Sequence, residues 1–163
     1  MLAVLAYCAA MVGANLSVAA FGPWISPLNA FLLIGLDLSL RDYLHERWRG
    51  DGLWPRMLGL IVAAGAISYL LNPAVGKIAV ASVTAFVTAG IIDAITYHLL
   101  RDRPYLQRSN GSNATAAAVD SLVFPTLAFG GFLPHIVALQ FAAKMGGGFL
   151  WSLLLRRIIN GRP

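Results

Sequence analysis

Charged side chains are scarce in this sequence, at 12% of 163 residues. Soluble domains carry roughly 25%, so this chain has too few for an ordinary water-exposed surface. The single cysteine, Cys8, excludes an internal disulfide and a thiolate cluster. No charge precedes Asp37, so the first apolar run lacks the basic flank of a signal peptide. Met1 to Phe21 is therefore expected to be a retained helix. There is no Walker motif, no nucleophile elbow and no HExxH pair, and His45, His98 and His135 are scattered. Nothing in that pattern supports ATP hydrolysis, covalent catalysis or a metal centre. No enzyme is expected, and neither a cofactor nor a metal.

What the chain has is apolarity: 58% hydrophobic residues and a mean hydropathy of +0.72. A helix crosses the hydrocarbon with about 20 apolar residues. Six such runs follow from the punctuation. The first spans Leu2 to Phe21 and stops at Gly22-Pro23. The second runs from about Ser26 to His45, with Pro27 in its first turn, where its missing N–H is harmless. The third covers Leu53 to Leu71 and the fourth Gly76 to Leu100. The fifth covers Asn113 to Phe129 and stops at Gly130-Gly131; the sixth runs from Pro134 to about Ile159. Residues 1–163 thus read as one all-α integral membrane domain, a bundle of six transmembrane helices.

Charge asymmetry orients the bundle. Every arginine lies at the second-to-third connection, the fourth-to-fifth connection or the C-terminus, with Arg41 at a membrane edge. The opposite side has only Lys77. The positive-inside rule then places both termini in the cytoplasm. The net charge of +5 is spread along the span ends instead of forming a patch, so anionic headgroups and topology explain it and no nucleic-acid partner is expected.

Five ionisable residues fall in or at the edge of spans: Asp37, Arg41, Asp93, Asp120 and Lys144. A charge at membrane depth costs about 2.5–3.5 kcal/mol by insertion scales, so it must be paired, line a wet cavity or touch a substrate. This points to transport. Asp37 and Arg41 are four apart on one helical face, where they can form a local ion pair or a gating contact. Asp93 can pair with a neighbouring helix or meet a ligand. Asp120 lies among small residues and is followed by Pro125, which frees a backbone carbonyl. Gln140, Lys144, Gly147 or Gly148, and Trp151 form one stripe on the sixth helix, and its glycines serve either tight packing or a wider cavity. Asn15, Asn110, Ser112 and Asn113 add neutral hydrogen-bonding groups. Three carboxylates face two cations, so full pairing leaves one carboxylate for a proton or for ligand donors. A planar ligand with adjacent N–H donors suits an aspartate. Tyr97, Phe124, Phe129 and Trp151 are available to stack on it or to pack as core.

Several short segments recur in a characteristic order. They are Leu36-Asp37-Leu38-Ser39-Leu40-Arg41, Lys77-Ile78-Ala79-Val80-Ala81-Ser82 with Ile92-Asp93, Asp120-Ser121-Leu122-Val123-Phe124 with Leu127-Ala128-Phe129, and Ala143-Lys144. Together they resemble the VUT family, the vitamin-uptake and queuosine-precursor transporters of bacteria. The resemblance runs from the second helix to the end, with Asn15 a weaker match. It implies a multi-pass inner-membrane importer of 7-cyano-7-deazaguanine, the base salvaged for tRNA modification, or of a related deazapurine. Asp120, Lys144, Asn15, Gln140 and Asp93 would then bind substrate, and Asp37 and Arg41 would gate or complete a charge network. Many relatives carry Ser-Gln where this chain has Ala116-Ala117, so that turn lacks their side-chain contacts; the chain is also short, with brief loops, and a related deazapurine such as the aminomethyl form is the other expected substrate. Implied partners are a deazaguanine-like small molecule and the lipid bilayer, and the small size admits a homodimer. The alternative is a substrate-binding subunit for another vitamin-like solute, resembling an S-component, that needs a separate energy-coupling module.

Overall fold

The computed structural model describes residues 2–48 and 52–160, which are helical with no strand among them. Six helices result: α1 (Leu2–Phe21), α2 (Ser26–Asn29, Ala30–Ile34 and Gly35–Arg47 in succession), α3 (Leu53–Leu71), α4 (Gly76–Leu99), α5 (Tyr105–Phe129) and α6 (Pro134–Asn160). The turns are tight. Gly22 and Gly130 each take φ +76°, where a Cβ is strained, and their N–H groups close the ends of α1 and α5 on Val18 and Thr126.

Most boundaries fall where the punctuation predicts. Helix α5 begins at Tyr105, eight residues before the expected Asn113. The polar stretch before Asn113, outside the expected span, is itself helical, and packing against α4 gives it partners. Ser112 is buried, and Thr115 Oγ1 lies 3.2 Å from Thr96 Oγ1. Among the described residues, three segments are long and apolar enough to cross a membrane: Leu2–Phe21, Pro23–Leu40 and Pro73–Asp93. Within α3 the apolar stretch among the described residues is Pro55–Leu71.

The helices close into a ring in which α1 touches α3, then come α4, α5, α6 and α2, which returns to α1. Large apolar side chains point outward, among them Leu5, Leu70, Val80, Leu99 and Phe149, while many buried positions are small, such as Ala14, Ala30, Ala64, Ala85, Ala89, Ala116 and Ala117, beside a core of Tyr7, Met11, Leu40, Leu44, Met57 and Ile61. A water-soluble protein does not expose so much continuous apolar surface. Small residues inside let helix backbones approach closely in lipid.

The closest approach is between α2 and α6. A Cβ added at Gly147 would lie on the Phe31 carbonyl oxygen, 2.1 Å away, and one at Gly35 would lie 2.7 Å from the Gly147 backbone. Of the two uses expected for the glycine stripe, Gly147 serves packing. Directly opposite it, residues Ala30–Ile34 of α2 form a π-helical turn. Such a turn disrupts the regular backbone ladder, and the Trp151 indole donates to the Leu32 carbonyl at 2.9 Å. Ser39 adds a further link between these helices, and Trp24, in the turn before α2, packs its ring on His135 of α6 (centroids 5.3 Å apart). The pair behaves as one unit. Gly147→Ala is expected to lower stability by at least about 1–3 kcal/mol, the usual cost of overpacking, read as a lower unfolding temperature in detergent. Gly59→Ala, where no atom lies within 4 Å of the added Cβ, should show no loss.

Candidate functional site

The ring surrounds a central cavity of about 70 Å³. Every helix except α3 contributes to its wall. Phe86 from α4 and Phe124 from α5 supply aromatic surface, and Met11 and Ile34 supply aliphatic surface. Ala116 and Ala117 also line it, so that turn of α5 offers no side-chain donor or acceptor there.

Lys144 organises the polar side. It is 3% exposed on a helix that is otherwise apolar at that depth. Its ammonium donates to Asp120 Oδ2 at 2.5 Å, Ser121 Oγ at 3.1 Å and Gln140 Oε1 at 3.1 Å. An ammonium has three protons and no acceptor, so Lys144 is saturated. Gln140, one turn earlier, passes the chain on through Nε2 to Ser26 Oγ at the start of α2. Pro125 removes the N–H that the Ser121 carbonyl would otherwise receive, opening the ladder beside this network.

Of the residues expected at a site, Asp120, Lys144, Gln140, Asn15 and Asp37 all line the one cavity. Asn15 is buried and donates to Ser68 Oγ of α3 at 3.3 Å. Asp37 is 3% exposed; the side chain of Arg41 lies outside the described residues, as do those of Tyr97 and Asn110. Asp93 does not line the cavity. It stands on α4 one turn beyond Ala89, which does, and its Oδ1 is buried with no hydrogen-bond partner among the described residues. Phe129 packs edge-on to Phe124, and Trp151 is turned to Leu32, so neither faces the cavity. Sequence reasoning missed Ser26, Asn29, Ser82 and Phe86. Asn29 had a usable signal, an amide inside an apolar span, and it holds α2 to α1 through Ala14 O at 3.3 Å and Ser17 Oγ at 2.6 Å.

The fold, the inward small residues and a central polar cavity describe a membrane bundle that can hold a small solute. Residues 57–157, more than half of the chain, match the family model described as "Putative vitamin uptake transporter". The chain belongs to this family. The match covers nearly all of α3 and extends through α4 and α5 into most of α6, and so includes Asp93, Asp120, Gln140 and Lys144; Asn15, Asp37 and Arg41 lie before it. It begins later than the resemblance from the second helix suggested. No curated protein and no solved structure matches the chain. Family membership makes the chain a membrane transport protein of the VUT family.

A buried pair that loses one member costs about 3–5 kcal/mol, whereas apolar replacement of both is often neutral. Lys144→Met alone should therefore markedly reduce the folded yield and unfolding temperature. Adding Asp120→Leu to it should restore most of the loss, measured as a double-mutant cycle in detergent.

Proposed function

We propose that this VUT-family protein imports a deazaguanine-type base across the inner membrane for tRNA modification. In this reading six spans cross the bilayer with both termini in the cytoplasm. One observation carries it: the central cavity sets a partly open carboxylate, Asp120, beside the rings of Phe86 and Phe124. Asp120 keeps 24% of its side chain accessible, and its Oδ1 has no hydrogen-bond partner among the described residues. A guanine-like edge presents adjacent N–H donors, which a carboxylate accepts side by side. The aromatic rings would cover the faces of the base.

Asn15 and Gln140 then complete the polar rim of the site, and Lys144 balances the charge of Asp120. Asp37 and Arg41 set helix register or a gate. Asp93, outside the cavity and with a buried oxygen lacking a donor among the described residues, is the group we assign to proton coupling. An uptake rate unchanged by Asp93→Asn and by an imposed pH gradient would remove that assignment. Two copies could pair in the membrane through their apolar outer faces.

The test is thermal unfolding of the purified chain in detergent with guanine, 7-cyano-7-deazaguanine, 7-aminomethyl-7-deazaguanine and riboflavin. A ligand at a hundred times its Kd stabilises by about 2.7 kcal/mol. A rise with the guanine-type bases, weakened tenfold or more in Asp120→Asn, supports the reading; a rise only with riboflavin, or none, counts against it. Uptake by the purified chain alone in liposomes separates a complete importer from a subunit that binds substrate but needs an energy-coupling module.

A further inference from the structure

The six helices are tied to one another unevenly. Helices α2 and α6 are held at several levels: Gln140 Nε2 on Ser26, the Gly147 backbone against Phe31, Trp151 on the Leu32 carbonyl and Ser39 on the Gly148 carbonyl. Helix α1 joins them, because Asn29 of α2 donates to Ala14 O and Ser17 Oγ, and α3 joins α1 through Asn15 and Ser68. Helices α4 and α5 form a second unit with an extensive interface. Thr115 meets Thr96 within it, and a Cβ added at Gly111 would lie 2.7 Å from Leu100. Among the described residues, the hydrogen bonds that join one unit to the other are those of Lys144 to Asp120 and Ser121. The cavity lies on that boundary, with Phe86, Ala116 and Asp120 on one side and Asn15, Asn29 and Gln140 on the other.

Chain connectivity decides where the boundary can part. The chain crosses between the units at the α3–α4 turn (Asn72–Val75) and at the α5–α6 turn (Gly130–Leu133), both tight and both at the end of the bundle away from the arginines. At the arginine end, the α2–α3 connection begins and ends in the first unit, and the α4–α5 connection in the second. No connection tethers the units there.

We propose that α4 and α5 swing as one body against the other four helices, hinged at these two turns and parting at the arginine end. The Lys144–Asp120 pair is the tie that this motion opens and closes. An ion pair suits a contact that has to part. When water enters, both ions regain the hydration that burial took from them, which offsets much of the lost attraction. Two apolar side chains in the same place gain nothing from water and hold the seam shut. The arginine end is cytoplasmic in the orientation proposed above, so the motion would open the cavity inward. The division into moving parts stands on packing and connectivity, whichever solute the cavity takes.

The experiment is cysteine labelling of the purified full-length chain in detergent with an uncharged hydrophilic maleimide, after Cys8→Ser removes the native thiol. Ala116→Cys and Ser39→Cys each place a thiol at a buried position. Ala116 is on the boundary, one turn from Asp120 toward the arginine end, and Ser39 is inside the α2–α6 contact. Rates are taken relative to the same thiol in the denatured chain. A buried thiol reacts only through opening, so Ala116→Cys should react about tenfold faster than Ser39→Cys, or more. Salt screens ions in water far more than a buried pair, so raising it from about 0.1 M to about 1 M should speed Ala116→Cys and leave Ser39→Cys unchanged. Adding Lys144→Met with Asp120→Leu should slow Ala116→Cys about tenfold, by shifting the population to the closed form, and abolish the salt effect. Equal rates at the two positions overturn the two-body motion. A rate at Ala116→Cys that ignores salt, or that survives the double substitution in folded protein, overturns the tie. The first two measurements decide both points even if the double variant folds poorly. No solute enters the experiment, so its outcome is separate from that of the ligand test above.

Discussion

A lysine ammonium inside an apolar bundle must be given acceptors, and the rest of this structure is arranged around that demand. Lys144 draws Asp120 and Ser121 from α5 and Gln140 from its own helix, and Gln140 in turn reaches Ser26 on α2. One buried charge thereby sets the register of three helices. The cost of an unpaired charge at that depth is what gives the arrangement its specificity, since apolar side chains in lipid discriminate poorly between one helix rotation and another. The cavity is the space left on the open side of this network.

The α2–α6 contact supplies the rigidity. Gly147 and Gly35 bring the two backbones together, and the π-helical turn at Ala30–Ile34 lies at the same level, with Trp151 satisfying the Leu32 carbonyl. Ser26, Asn29 and Ile34, on the same stretch of α2, all line the cavity. A distorted backbone is tolerated at membrane depth where protein or a polar cavity satisfies it. Both conditions hold along α2. The close packing that excludes lipid on one side also presents polar groups to the cavity on the other.

Much of the fold was legible from the chain because the punctuation is strong. Gly22-Pro23, Asn72-Pro73 and Gly130 end helices for local reasons, and α1 and α3 have the limits those signals predict. The start of α5 was not legible, because the polar stretch before Asn113 looks like a loop until α4 is present to bury Ser112. At the site, Asp120, Lys144, Gln140 and Asn15 stood out as polar groups in apolar runs and share one cavity. Asp93 stood out equally and lies a turn away, since depth along a span does not say which face meets the centre. Asn29 carried the same kind of signal as Asn15 and was overlooked, whereas Ser26, a small hydroxyl at a helix start, leaves a weak mark.

The sequence by itself determined an all-helical, membrane-apolar chain of six helices with a few buried charges, because hydrophobic run length and glycine-proline stops act locally. Which groups those charges met was decided only by tertiary structure. Ser26 and Gln140 are 114 residues apart and Asn15 and Ser68 are 53 apart, and no periodicity links them. Helical spacing says which side chains share a face; it does not say which neighbour that face will touch. The open oxygen of Asp120 exists because Lys144 had three acceptors within reach and used one oxygen of that carboxylate, a competition settled only once α5 and α6 had packed.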